Sequence, residues 1–435
     1  MLALIGVLTI VIMLVLIMTK KLQTLLALII VPIIGCLVAG FTGNIVLEEG
    51  VFTVKTMGEF ITAGLKSIAP TGVMFLTDAG TFDPIIKKIL QVVGKDPVKI
   101  CIGTVILACL VHLDGSGAVT FLIAIPAMLP LYEKLGMRKT TLATLVALGA
   151  GVMNMLPWGG PTIRAITAMS SNIEELFTPM VIPMICGLAF VLGVAVFLGK
   201  SEKKRLGAAL DAVQLDDSHH EATEADELKR PHLFIFNIAL IIIAVVVLIK
   251  SILPPAAVFM IATAIALLVN YPDKKMQSER VDAHAKSALM MASMLFAAGS
   301  FIGIMQNSGM LTAMAEAIVK IIPASVGQLM PVLVGIISMP ASLLFDPDSY
   351  YYGVMPVLAS AVEQMGVNPI MIARASIIGQ MTTGFPVSPL TGATFLLTGL
   401  SGIDLGEHQK HTIPFAFMTT IVMLIVAVIV GAISI

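Results

Sequence analysis

The sequence predicts an all-α polytopic membrane protein with about ten transmembrane helices plus two re-entrant hairpins, arranged as two inverted repeats. Charged side chains make up only 12% of the 435 residues, about half the share usual in a soluble domain. The apolar residues fall in blocks close to the ~20 residues that cross ~30 Å of hydrocarbon. The second half of the chain also repeats the order of elements, and short stretches of sequence, found in the first.

The clearest spans are residues 2–19, 22–41, 178–199, 232–249, 252–270 and 412–433, and the mean hydropathy is +0.99. Lipid and helix–helix packing are therefore expected to bury the core. Cys36, Cys101, Cys109 and Cys186 all lie inside apolar stretches. They read as small buried side chains, with neither a disulfide framework nor a metal-binding spacing. The first block lacks a basic leader and is followed by Lys20 and Lys21, which fits an uncleaved span entering from outside. The net charge of −1 selects no partner beyond the lipid bilayer, and nucleic acid is not expected as one.

Loops rich in Lys and Arg stay in the cytoplasm. With Lys20 and Lys21 inside, the chain can be traced so that 20 of the 26 basic residues share that side. The exceptions are Lys55, Lys66, Lys250 and Lys320 near the outer boundary, and Arg164 and Arg374 within spans. The trace requires residues 100–131 and 329–361 to enter the membrane and return, each as two apolar arms around a polar tip. Residues 201–231 form the one long hydrophilic stretch. They read as a cytoplasmic linker between a first repeat, 1–200, and a second, 232–435. His219 and His220 belong to that solvated linker rather than to a metal site.

The repeats share sequence at matching places. LDGSG at 113–117 corresponds to FDPDS at 345–349, and LPWGGPT at 156–162 to FPVSPLT at 385–391. Asp114 precedes Pro157 by 43 residues, and Asp346 precedes Pro386 by 40. The charge trace opens the first hairpin to the cytoplasm and the second to the outside, which inverts one repeat relative to the other. Secondary transporters use this architecture, with a midplane site where discontinuous helices meet. Prolines inside helices remove backbone bonds, and irregular backbone at membrane depth is tolerated only against protein or a cavity.

Asp114, Asp346 and Asp348 lie at the hairpin tips. An aspartate at such depth costs roughly 3 kcal/mol even on the lenient insertion scale, so a functional role is the default expectation. A carboxylate there can ligate a hard divalent cation or take a proton, or it can cap a hairpin arm. Gly115, Gly117, Gly159 and Gly160 allow close backbone approach to a ligand, and helix N-termini favour an anionic group. Ser116, Thr120, Asn154, Thr162, Ser349, Ser388 and Thr391 supply hydroxyl and amide partners, either to a ligand or to their own helices. Arg164 can hold a substrate carboxylate in bidentate fashion, form an interhelical ion pair, or reach the outer interface. Arg374 is expected to snorkel. His112 can titrate or simply pack, and the tyrosines at 350–352 are expected to mix hairpin packing with a ligand-facing hydroxyl.

Taken together, DAGTFDPIIKKIL, LDGSGAVTFLIAIPAMLPLYEKLGMRKTTL, MLPWGGPTIRA, FDPDSYYYGVMP and GFPVSPLTGATFLL resemble the citrate–divalent metal/proton symporter family, within the wider ion transporter superfamily. The resemblance runs along nearly the whole chain. It implies uptake of citrate complexed with a Mg²⁺- or Ca²⁺-type cation, with protons, by a homodimer in a bacterial inner (plasma) membrane. The cation is then part of the substrate, and no tightly bound cofactor is expected. The implied site comprises residues 114–117, 154–162, 346–349 and 386–391, including Pro157, Pro386 and Pro389. A citrate trianion on a dication is a monoanion, which backbone dipoles can hold without many arginines. One stretch departs from the pattern. Lys286 to Gly309 spans 23 residues, but the matching Lys66 to Gly80 spans only 14, where family members carry a longer apolar stretch after Phe75.

Two rivals remain at this level. One is a sodium-coupled carboxylate or inorganic anion transporter, which would share the fold. The other is an intramembrane aspartyl protease. Such enzymes carry the acid after glycine in a GxGD-type turn, whereas here Gly115 follows Asp114, so an enzyme is not expected.

Overall fold

A computed structural model describes residues 1–19, 21–45, 52–66, 83–207, 228, 230–249, 252–253, 255–320 and 324–434. The described chain is built from helices. The first half opens with α1 (Leu2–Met18), α2 (Thr24–Phe41), α3 (Val54–Lys66) and α4 (Asp83–Val93). A hairpin follows, α5 (Pro97–Val111) and α6 (Gly117–Lys134), then a helix in two pieces, α7 (Lys139–Met153) and α8 (Gly160–Met169). A short α9 (Ile173–Leu176) leads into the long α10 (Val181–Leu206). The second half runs α11 (Phe234–Ile249), α12 (Pro255–Asn270), α13 (Lys274–Asn307), α14 (Met310–Val319) and α15 (Ala324–Gly327). It continues with α16 (Met330–Leu344), α17 (Met355–Gln364), α18 (Ile370–Ile378), α19 (Gly392–Ser401) and α20 (Leu405–Ile429).

Local chemistry accounts for several boundaries. Asp96 accepts the Val98 N–H and Pro97 stands in the first turn, which starts α5. Ser116 does the same for α6 through the Val119 N–H. Asp273 caps α13 and Asp404 caps α20. Lys203, Lys204 and Arg205 crowd the last turn of α10, where cations oppose the negative end of the helix dipole. The apolar helices at the periphery expose large side chains: Leu8, Val15, Ile242 and Leu268 are all about half exposed or more. In a soluble protein that would be a liability; against lipid it costs nothing. Among the described residues, α2, α6, α10 (with α9) and α20 are long and apolar enough to cross a membrane on their own.

Packing follows one scheme in both halves. The first hairpin arm, α5 or α16, lies on the first piece of its own broken helix, α7 or α18, and on the final helix, α10 or α20. The second arm reaches across: α6 packs on α19, and α17 touches α8. The two final helices also meet. Each half thus completes the other. Outside this inner group, α13 lies along α2 and α3, and α1 joins α2 to α14, which packs on α17. Residues 67–82, which include the short third span, and 208–227, which include His219 and His220, fall outside the described residues.

The start of α7 and the end of α10 are tied by a buried carboxylate. Glu202 is 1% exposed; it accepts Arg205 Nη2 at 2.6 Å and Thr141 Oγ1 at 3.1 Å, with Arg138 Nε 3.7 Å away. Arg205 also donates to the Gly136 carbonyl. Arg374 does not snorkel freely: it caps backbone carbonyls, at 2.7 Å to Glu175 and 2.8 Å to Ala432. Glu202→Ala removes charge-assisted hydrogen bonds worth about 2 kcal/mol. It is expected to lower the thermal midpoint in detergent by about 2–4 °C, read by differential scanning fluorimetry.

Candidate functional site

The first hairpin ends in a tight turn. After Val111 the chain makes one 3₁₀ turn, His112–Asp114, then reverses at Gly115 with φ +79°. A side chain there would be strained by the backbone and would press on Trp158, 3.0 Å from a built Cβ. Trp158 in turn donates Nε1–H to the Leu113 carbonyl at 3.0 Å, so the first break holds the first tip. His112 is fully buried. Its Nδ1 lies 2.8 Å from Thr120 Oγ1 and its Nε2 3.3 Å from Asn154 Oδ1. His112 therefore packs as a bonded core residue. The Asp114 side chain lies outside what the structure describes.

The first break spans Asn154 to Gly159, between α7 and α8. Thr162 Oγ1 folds back onto the Met155 carbonyl at 2.8 Å. Gly159 fits because a Cβ would stand 1.9 Å from the Asn154 carbonyl oxygen. Pro157 is buried within this turn, and the Gly160 carbonyl accepts Arg164 Nη1 at 3.2 Å. Asn154 uses its other end on the second half of the chain, donating Nδ2–H to the Met381 carbonyl at 2.6 Å.

That carbonyl belongs to the second break, which begins at Gly379, seven residues before Pro386. Gln380 is extended and Met381 is left-handed at φ 56°. The break thus starts earlier than the expected Pro386–Pro389 segment, which lies inside it between α18 and α19. The unwinding starts where Gly379 and Gly384 press against Ser338 and Ser342 of α16, with built Cβ atoms 2.2 Å from each hydroxyl oxygen. Close backbone packing, not proline, fixes it. Gln380 is buried, accepts the Ser342 hydroxyl and donates to the Phe345 carbonyl. Tyr351 O–H donates to the Gln380 carbonyl at 2.9 Å. Downstream, Ser388 bonds the Ser342 carbonyl and Thr391 the Phe385 carbonyl. The Pro386 carbonyl meets His408 Nε2 at 2.8 Å, and Pro389 is exposed. The Phe385 ring stacks on Phe121 of the first hairpin at 5.9 Å.

The second tip carries two aspartates with different partners. Asp346 Oδ1 accepts the N–H groups of Asp348 and Ser349, each at 3.1 Å, and Oδ2 accepts the Ser349 hydroxyl. It caps the turn that leads into α17. Asp348 accepts Arg164 Nε at 2.7 Å, with side chains 15% and 22% exposed. Arg164 therefore forms an ion pair between the halves in this conformation. The Tyr350 and Tyr351 hydroxyls bond Ser376 and the Gln380 carbonyl, and all three tyrosines are buried. Both tips and both breaks thus meet in one place, beside a small cleft lined by Ser342, Phe345, Gln380 and Ser388.

A family model described as "Citrate transporter" (CitMHS) matches residues 1–379. The chain belongs to the CitMHS citrate transporter family. The chain is 43% identical, over the whole of both chains, to a protein of Bacillus subtilis named as a citrate transporter. It is 40% identical, again over both full lengths, to the Mg²⁺/citrate complex secondary transporter of the same organism. The solved YdaH transporter of Alcanivorax borkumensis superposes with a TM-score of 0.58 at 12% identity, covering 98% of this chain and 97% of that one, which supports the fold alone. The relatives are transporters and not enzymes, so the aspartyl protease reading falls away.

In this transporter four contributors escaped the sequence reading. Gln380, Met381 and Ser342 build the second break, and His408 holds the Pro386 carbonyl. The pattern GQMTTG, two glycines facing two serines four apart on α16, is the signal that was present for the first three. Asn154→Leu leaves His112 and the Met381 carbonyl without their shared partner, at about 1–3 kcal/mol. Citrate uptake by the purified protein in proteoliposomes is expected to fall about tenfold or more, with expression and elution profile retained.

Proposed function

We propose that this transporter is a symporter that carries citrate as its complex with a divalent metal of the Mg²⁺ or Ca²⁺ class, driven by protons across the bacterial plasma membrane. One observation carries the reading. A cation and an anion from opposite halves, Arg164 and Asp348, meet 2.7 Å apart beside both tips and both breaks. A metal–citrate complex also presents both signs, a carboxylate edge and a metal ion, so the site matches the complex in kind. The relative named for Mg²⁺/citrate transport supports the same substrate class.

In this reading the metal is cargo, with no resident cofactor. Asp348, Asp346 and Asp114 are the groups for the metal or the proton. Backbone N–H groups at the starts of α6, α8 and α19, near Gly117, Gly160 and Thr391, hold carboxylates through the helix dipoles. Ser116, Asn154, Thr162, Ser349 and Ser388 now bond protein atoms and supply the polar lining on opening. The two halves, 1–200 and 232–435, act as inverted repeats of a ten-span homodimer around the linker 201–231, which lies in the cytoplasm. Their cross-packing, α6 on α19 and α17 on α8, supports that arrangement.

The test is uptake of radiolabelled citrate into proteoliposomes under an imposed pH gradient, with Mg²⁺, Ca²⁺ and EDTA compared. Uptake is expected to need a divalent metal and to collapse with a proton uncoupler. Uptake that ignores the uncoupler but stops without sodium would replace this reading with a sodium-coupled carboxylate carrier.

A further inference from the structure

Two aspartates stand at the second tip, and only one is committed to the backbone. Asp346 spends both oxygens on capping, whereas Asp348 meets the Arg164 guanidinium. Both members of that pair are largely buried yet keep some exposure, at 15% and 22%. They sit on elements from different halves, α8 and the turn before α17, which touch each other there.

We propose that the Arg164–Asp348 pair is the resident counter-charge of the empty carrier, exchanged for the two ends of the substrate, and that this exchange selects metal-bound citrate over free citrate. The inference rests on the metal–citrate reading above. A ligand that enters between the two side chains must replace the partner of each, because an unpaired charge in such surroundings is costly. Free citrate satisfies Arg164 but sets a trianion against Asp348. The free dication satisfies Asp348 but faces Arg164 with like charge. The complex does both: an outward carboxylate edge takes the guanidinium fork, and the metal takes the Asp348 carboxylate as an added oxygen ligand. Discrimination thus arises from repulsion of the wrong ligands as much as from attraction of the right one. Asp346 stands two residues from Asp348 and accepts its backbone N–H at 3.1 Å, so a carboxylate there deepens the bias against a bare trianion.

The test compares wild type, Asp348→Asn and the charge-balanced double variant Arg164→Gln/Asp348→Asn. Two readouts are taken, each with Mg²⁺ and with EDTA: citrate uptake in proteoliposomes, and thermal stabilisation of the detergent-solubilised protein by citrate. Wild type is expected to favour the complex in both. In Asp348→Asn the preference for complex over free citrate falls at least tenfold, the loss falling on the complex. The double variant shows no preference. A folded variant of either kind that keeps the wild-type preference overturns the proposal, as does failure of both variants to fold, which would make the pair structural. If wild type itself takes up citrate equally well in EDTA, it is the metal–citrate reading that fails. Wild-type preference retained in the variants fails the pair alone.

Discussion

A helix broken inside a bilayer releases backbone groups with no water to receive them, and the core of this protein is organised around meeting that demand. Four carbonyls at the tips and breaks are each claimed by a side chain from another element. Asn154 takes Met381, Trp158 takes Leu113, Tyr351 takes Gln380 and His408 takes Pro386. Because the donors are remote in sequence, satisfying the breaks also locks tip to break and half to half. The folding requirement and the assembly of the site are one set of bonds.

The same bonds make the closed centre polar but not open. Hydroxyls read as candidate ligands are occupied by protein: Thr162 by Met155, Ser388 by Ser342, Thr391 by Phe385. In the proposed mechanism such a site binds by exchange: a ligand enters by replacing internal partners with equivalent ones, so its chemistry resembles theirs. The ion pair between Arg164 and Asp348 is one of those partners, and it carries both signs.

Much of this was legible in the sequence. Hydropathy located α1, α2, α10, α11, α12 and α20 to within a few residues of their ends, apart from the end of α10 and the start of α20, each seven residues off, and the paired polar tips located both hairpins. Period and charge report on the lipid-facing and cytoplasmic surfaces, where solvent decides the residue. The onset of the second break at Gly379 was missed, because Pro386, inside the break, is the louder local signal. The event that unwinds the helix, glycines of one segment against serines of another, is a tertiary contact with no local signature. The division of labour between Asp346 and Asp348 was hidden for the same reason. Both read as tip aspartates, and only the fold shows one capping the turn while the other crosses to α8.

Dual-label uptake tests the central claim most directly: ⁴⁵Ca²⁺ and [¹⁴C]citrate counted in the same proteoliposomes, with Mg²⁺ as competitor. The account predicts that the two labels enter together in a fixed ratio, and that Mg²⁺ displaces the calcium without abolishing citrate entry. Citrate entering without calcium when no other divalent cation is present would contradict it.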